Sequence, residues 1–287
     1  MTRAWAETLY DAYGQQFSID KIYFESGTGH QHLLIFHNSV FGRVMALDGV
    51  VQTTQKDEFI YHEMLTHVPL VAHGRVHRAL IIGGGDGGIL REVCKHRRVE
   101  QITQVEIDQA VIDVARKYLP THSDGAYDDP RANIVIADGV DFVSGTSEKF
   151  DLIISDSTDP IGPGEVLFTT NFYENCRRCL NPGGVLVTQN GVPFMQMDEV
   201  EGTARKLAPL FRDWYFYTAA VPTYIGGVMS FAWATDDCKL RAATLEQICD
   251  NYKASGIRTR YYTPEIHRAS FALPGYMLQA IGKGELT

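Results

Sequence analysis

Between about residues 77 and 191, short apolar runs alternate with stretches of helical character, and this alternation restricts the fold more than any other feature of the chain. HRALIIGG reads as a strand, GGILREVCKH as a helix, QITQVEI as a strand and QAVIDVARKYL as a helix. ANIVIAD, FDLIISD and GGVLVTQNG follow as strands, with helical segments between them. Strands that are apolar on both faces and joined through helices form a parallel sheet covered on both sides. Further on, YFYTAAVPTYIGGVMSFAWAT reads as two strands and a turn, which adds an antiparallel hairpin at the sheet edge. The predicted fold is α/β: a methyltransferase-like Rossmann sheet with helices on both faces.

Residues 17–54 follow a different pattern. FSIDKIYF, HLLIFHN, FGRVMAL and VVQTT are short segments rich in β-branched and aromatic residues, and Asp48-Gly49 is a strong hairpin signal. They predict a small N-terminal antiparallel β domain over residues 1–55, ahead of a Rossmann-like catalytic domain over residues 56–287. From Asp57 the period becomes helical, with Phe59, Ile60, Met64, Leu65 and Val68 at helical spacing, and Pro69 is expected to end that helix. No linker or repeat separates the units, so tight packing between them is expected.

The composition, 45% hydrophobic and 21% charged, suits a globular chain rather than a disordered one. No apolar run approaches the roughly 20 residues of a membrane span, and MTRAWAETLYDAYG lacks the apolar stretch of a signal peptide. A cytoplasmic protein is expected. Five irregularly spaced cysteines fit a reducing compartment. Cys176 and Cys179 form a CxxC pair with no second pair to complete a zinc site, and are expected to be packing residues. A net charge of −9 disfavours nucleic acid and favours cationic ligands.

The chemistry is concentrated where strands end. IIGGGDGG, residues 81–88, sets glycines between a strand and a helix in the G-x-G-x-x-G register, which lets the backbone approach a ligand at a helix N-terminus. Glu106 ends the next strand, where a carboxylate can accept hydrogen bonds from ribose hydroxyls. Asp138-Gly139 ends the third strand, where an adenine base can rest or where Asp138 can cap a helix. Asp86 inserts negative charge into a loop that in dinucleotide enzymes faces pyrophosphate. It disfavours a phosphate-bearing cofactor and the methionyl carboxylate of S-adenosylmethionine, and attracts a donor ending in ammonium. Asp156 and Asp159 lie just beyond the fourth strand of the series, ahead of a Pro/Gly-rich loop suited to folding over a site. HEMLTH, residues 62–67, has one residue too many for a zinc-protease helix, so no metal site is expected there.

DGVVQTTQKDEFIYHEMLTHVPL, ALIIGGGDGGILREV, QVEID, DDPR with ADG, SDSTDPIGPGEVLF and Val221-Pro222-Thr223-Tyr224, in this order, resemble the successive motifs of spermidine synthases. The resemblance implies an aminopropyltransferase that moves a propylamine group from decarboxylated S-adenosylmethionine, a co-substrate, onto putrescine, with no further cofactor. It implies Asp156 as proton acceptor, with Tyr61, His62, Asp86, Asp159, Gln189 and Tyr224 around the amine. It also implies Gln31, Gln52, Asp86, Glu106, Asp138, Gly139 and Pro163 at the nucleoside donor, and a homodimer. Trp5 and Trp233 are expected to add an apolar wall. The other readings are another amine acceptor, a small-molecule N-methyltransferase, a non-catalytic polyamine-binding protein and an NAD oxidoreductase.

Overall fold

The computed structural model describes residues 3–157 and 166–284. The chain begins with six strands: β1 (Arg3–Ala6), β2 (Gln16–Ile19), β3 (Lys21–Gly27), β4 (His32–Asn38), β5 (Gly42–Leu47) and β6 (Val50–Thr54). β1 and β2 pair as an antiparallel ribbon, and β3 to β6 form a four-stranded meander. The β5–β6 turn holds Asp48 and Gly49 at φ 47° and 80°, the left-handed geometry for which that dipeptide is suited. FSIDKIYF is not one strand, because it breaks at Asp20 into β2 and β3.

The meander explains why β4 carries four consecutive apolar residues, Leu33 to Phe36. Leu34 and Phe36 face the ribbon, packing with Trp5 and Phe17, whereas Leu33 and Ile35 face α3 (Gln109–Tyr118) through Val111 and Val114. Successive side chains of a strand point to opposite faces, and here both faces are covered.

α1 (Glu58–His73) leads into the main sheet, whose strands are β7 (Arg78–Gly83), β8 (Gln101–Glu106), β9 (Ala132–Ile136), β10 (Phe150–Asp156), β11 (Leu180–Gln189), β12 (Asp213–Ala220) and β13 (Val228–Thr235). Their order is β12-β13-β11-β10-β7-β8-β9. The run from β11 to β9 is parallel, and β12–β13 is the antiparallel edge hairpin expected from the sequence. On β7, Ala79 and Ile81 enter one core, while Leu80 and Ile82 enter the other. The first core is roofed by α1, α2 (Gly88–Cys94), α8 (Leu245–Ser255) and α9 (Pro264–Ser270). The second lies under α5 (Gly139–Gly145), α6 (Thr170–Cys179), α7 (Met197–Leu207) and α10 (Gly275–Ala280). Cys176 and Cys179 are buried in this second core. No helix among the described residues is long and apolar enough to cross a membrane.

Two expectations fail here. Pro69 does not end α1, which runs on to His73 and stops at Gly74, φ 69°. The helix is buried over most of its surface, and that packing outweighs the hydrogen bond a proline cannot make. Trp5 and Trp233 form no wall of the site. Trp5 packs 5.9 Å from Phe17 and 5.5 Å from Phe36 in the small N-terminal core, and Trp233 is fully buried, with its indole N–H donating to Asp213.

Candidate functional site

The strand order reverses direction at β7, because β8 and β9 lie on one side of it and β10 on the other. At such a switch point the loops leave in opposite directions and open a crevice at the carboxyl ends of the strands. The register sets Asp156, the last residue of β10, opposite Gly83, the last residue of β7, so the acid and the glycine loop emerge side by side. A cavity opens there. Its floor is Gly83, Gly84, Gly85, Asp86, Glu106, Asp138 and Asp156, and its outer wall is Gln31 and Gln52 from the N-terminal meander.

The glycine loop is shaped from within as well as for a ligand. Gly83, Gly84 and Gly87 have φ of 83°, 68° and 83°, where side chains are rarely tolerated. Gln104, buried on β8, donates its side-chain amide to the carbonyls of Gly83 and Gly84 at 2.9 and 2.6 Å, and Tyr127 donates its hydroxyl to Gly85 at 2.8 Å. A Cβ at Gly88 would lie 2.2 Å from the His62 ring, so this glycine makes room for a histidine.

The acids differ in how readily they ionise. Burial pushes Asp156 up to about 6, and nearby Asp86 adds to the effect; Tyr61, donating its hydroxyl to Asp156 Oδ1 at 2.5 Å, opposes it. Burial likewise lifts Glu106 to about 7, although the Asp108 N–H donates to it at 3.0 Å. Burial acts on Asp86 in the same direction, yet the His62 side chain 3.2 Å away and the Gly88 N–H at 2.8 Å hold it well below the usual carboxylate range. Asp138 caps α5 by accepting from Val140 and Asp141, as the helix-cap reading expected, and it also lines the cavity.

Aromatic residues close the other side. Tyr61 and Tyr224 meet edge to face at 5.9 Å, and the Tyr224 hydroxyl donates to the Gln52 carbonyl at 2.7 Å, tying the hairpin turn to the meander. Gln189, at the end of β11, accepts from the Gly191 N–H at 2.8 Å. Gln31 donates to Asp108, the N-cap of α3, at 3.4 Å.

Apart from Trp5 and Trp233, the site residues predicted from sequence that fall among the described ones line this single cavity: Gln31, Gln52, Tyr61, His62, Asp86, Glu106, Asp138, Gly139, Asp156, Gln189 and Tyr224. Asp159 and Pro163 lie outside the described residues. Three residues that shape the site escaped the sequence analysis. Glu7 lines the cavity from just beyond β1, Gln104 holds the loop, and Glu58 stands behind His62. Only Glu58 left a local signal, its i,i+4 spacing from a histidine. His62 and His67 do not share a site, since His67 contacts Glu92 and His96 instead.

A glycine loop, a carboxylate ending the next strand and further buried acids around one switch-point cavity define a nucleoside-handling α/β protein whose second ligand is cationic. The spermine/spermidine synthase domain matches residues 58–244, and the spermidine synthase tetramerisation domain matches residues 4–55. The chain belongs to the spermine/spermidine synthase family. It is 64% identical over 279 residues to polyamine aminopropyltransferase 1 of Pseudomonas aeruginosa, covering 97% of this chain and 98% of that protein. Polyamine aminopropyltransferases of Pseudomonas syringae pv. tomato and Escherichia coli are 61% and 59% identical, each over 97% of this chain and over 98% and 97% of the relative. A crystal structure of spermidine synthase in complex with the transition state analogue AdoDATO superposes with a TM-score of 0.92 at 38% identity, covering 98% of this chain and 97% of the other. Spermidine synthase from Thermotoga maritima gives 0.89 at 36% identity, over 98% and 96%.

Proposed function

We propose that this chain is a polyamine aminopropyltransferase of the spermidine synthase type, transferring the aminopropyl group of decarboxylated S-adenosylmethionine to putrescine, with spermidine and 5'-methylthioadenosine as products. One observation carries the reaction: Asp86, Glu106 and Asp156 share a cavity with Tyr61 and Tyr224, so that acids and aromatic rings surround the same space.

The neutral amine of the acceptor attacks the carbon beside the sulfonium. A C–N bond forms, the C–S bond breaks with its electron pair going to sulfur, and the thioether leaves neutral. Positive charge moves from sulfur to nitrogen, so a carboxylate beside that nitrogen stabilises the transition state more than the ground state. The proton then passes to Asp156. Between an alkylammonium near pKa 10 and an ordinary aspartate near 4, that transfer is uphill by roughly 8 kcal/mol. With Asp156 lifted to about 6 the gap falls to roughly 5 kcal/mol, and desolvation of the amine narrows it further.

On this reading Glu106 takes the ribose hydroxyls, with Gln31, Gln52, Asp138, Gly139 and Pro163 around the rest of the nucleoside. Asp86 takes the ammonium of the donor's propylamine arm. Tyr61, His62, Asp159, Gln189 and Tyr224 surround the acceptor. Glu7, a buried carboxylate lining the same cavity, is the anchor for the distal ammonium of the diamine. Residues 1–55 and 56–287 are taken as two domains of a cytoplasmic homo-oligomer assembled through the first, with a homodimer as the smallest unit.

Incubation with the decarboxylated donor and a panel of putrescine, cadaverine, 1,3-diaminopropane and longer polyamines, read by mass, tests the function. Spermidine from putrescine is the expected main product. Methylated amines from S-adenosylmethionine, or no amine product at all, would contradict it.

A further inference from the structure

Glu58 sits in the first turn of α1, one helical turn before His62, and is buried behind the cavity rather than lining it. Arg91 of α2 grips both of its oxygens, at 3.2 and 2.8 Å. The same carboxylate lies 2.6 Å from His62 Nδ1. On the other side of the ring, Nε2 lies 3.2 Å from Asp86 Oδ2, while Asp86 Oδ1 accepts the Gly88 N–H at 2.8 Å. Each ring nitrogen of His62 therefore faces a carboxylate. A neutral imidazole has one N–H and one lone pair, so one of these contacts would set a lone pair against an anion; an imidazolium donates to both.

We propose that Glu58 is a positioning residue, which keeps His62 doubly protonated and edge-on to Asp86, so that Asp86 is held ionised in one orientation for the cationic arm of the ligand. The proposal rests on the assignment of Asp86 given above. Among the described residues, the charged and titratable groups around His62 fit it. Glu58 and Tyr61 come from α1, Asp86 from the glycine loop, Arg91 from α2 and Asp156 from the end of β10. His122, from the short helix α4 (Pro120–Ser123), meets the ring edge to face at 6.2 Å. Burial lowers the pKa of His122, and its Nε2 is paired with Thr53 Oγ1 at 2.9 Å, so it brings no competing charge. Arg91 shares its guanidinium between Glu58 and Glu92, which leaves it a supporter of Glu58 rather than a rival of His62. Burial alone would favour the neutral ring; Asp86 and then Glu58 reverse this and lift His62 to about 10.

The test is Glu58→Gln in the full-length protein, which keeps the side-chain size and an acceptor oxygen for Nδ1 but removes the charge. Side-chain nitrogen NMR of ligand-free wild type should show both His62 nitrogens protonated from roughly pH 6 to 9, whereas in the variant His62 should titrate inside that window. Affinity for the decarboxylated donor, measured by calorimetry, should match wild type at the acid end and fall about tenfold more than wild type as His62 deprotonates. A merely structural role for Glu58 would lower affinity equally at all pH values, and that result overturns the proposal. So does a wild-type His62 that is neutral at pH 7, a measurement that stands even if Glu58→Gln fails to fold. The NMR arm needs no substrate, so failure of the ion chain is separable from failure of the aminopropyl-transfer assignment, which would appear as wild type making no product.

Discussion

The Tyr61 hydroxyl donates to Asp156 Oδ1, so the carboxylate assigned as proton acceptor already holds a neutral partner while remaining buried among other acids. A tyrosine donor steadies the ionised form without adding charge, but it does not offset the burial. That imbalance sets two opposing consequences for one substitution.

Asp156→Asn should abolish turnover and stabilise the ligand-free protein. The folded pKa is raised from 3.8 to about 6, so the stability linked to this group is present below pH 4 and is lost as the pH rises through 6. At pH 8 the ionised form costs about 3 kcal/mol, an order-of-magnitude figure from about two pKa units. Asparagine removes that cost and still accepts from Tyr61. Denaturant unfolding should show the variant ahead of wild type at pH 8, with the advantage vanishing near pH 4; equal stability at both would contradict the cause assigned. In wild type, kcat/KM should fall about tenfold per pH unit below about pH 6, rather than below 4.

Glu7→Gln should separate the two substrates. The Glu7 carboxylate is fixed by the Val51 N–H at 2.8 Å and the Gln15 amide at 3.0 Å, and Gln15 also donates to the Thr223 carbonyl. With Glu7 as the proposed anchor of the distal ammonium, neutralising it should raise KM for putrescine about 10- to 100-fold while KM for the donor changes little. A rise in donor KM alone would assign Glu7 to the other ligand.

Gly88→Ala should be costly for a steric reason alone, because this glycine is not among those with positive φ. Its added methyl would meet the His62 ring at 2.2 Å, and forcing such a contact in a packed interior costs about 1 to 3 kcal/mol. His62→Ala in the same protein should relieve that part, giving a double variant more stable than the sum of the singles. Strict additivity in thermal unfolding would rule out the contact as the cause.

These residues also mark what the sequence made visible. The parallel strands were legible because β7, β10 and β11 are buried on both faces and so read as continuous apolar runs. Asp156 and Glu106 were legible because each ends a strand, and Asp86 because it interrupts the glycine loop that follows β7. Glu7 was not, since its partners lie 44 residues away at Val51 and, through Gln15, at Thr223, and no local period encodes contacts made by folding a ribbon against a hairpin turn. Pro69 misled because helix-breaking is a local tendency, whereas the surrounding core is a tertiary one. Trp5 misled because an aromatic near a chain end carries no mark of which core it enters.

Glu63 gives the last prediction, one of stability rather than chemistry. It neighbours His62 on α1 but points away from the cavity, where its buried carboxylate accepts the backbone N–H groups of Arg260, Tyr261 and Tyr262 at 2.7, 2.7 and 2.8 Å. A single side chain thus pins the turn between α8 and α9 to α1. Glu63→Ala would leave these donors without their acceptor, and at about 1 to 3 kcal/mol for each buried unsatisfied group the loss should be about 3 kcal/mol or more. Hydrogen exchange should rise first across residues 245–270, where the released elements lie, while turnover of the remaining folded enzyme stays close to wild type. A stability change below about 1 kcal/mol would mean that water or a neighbouring group takes over all three donors, and that this segment is held by its apolar contacts instead.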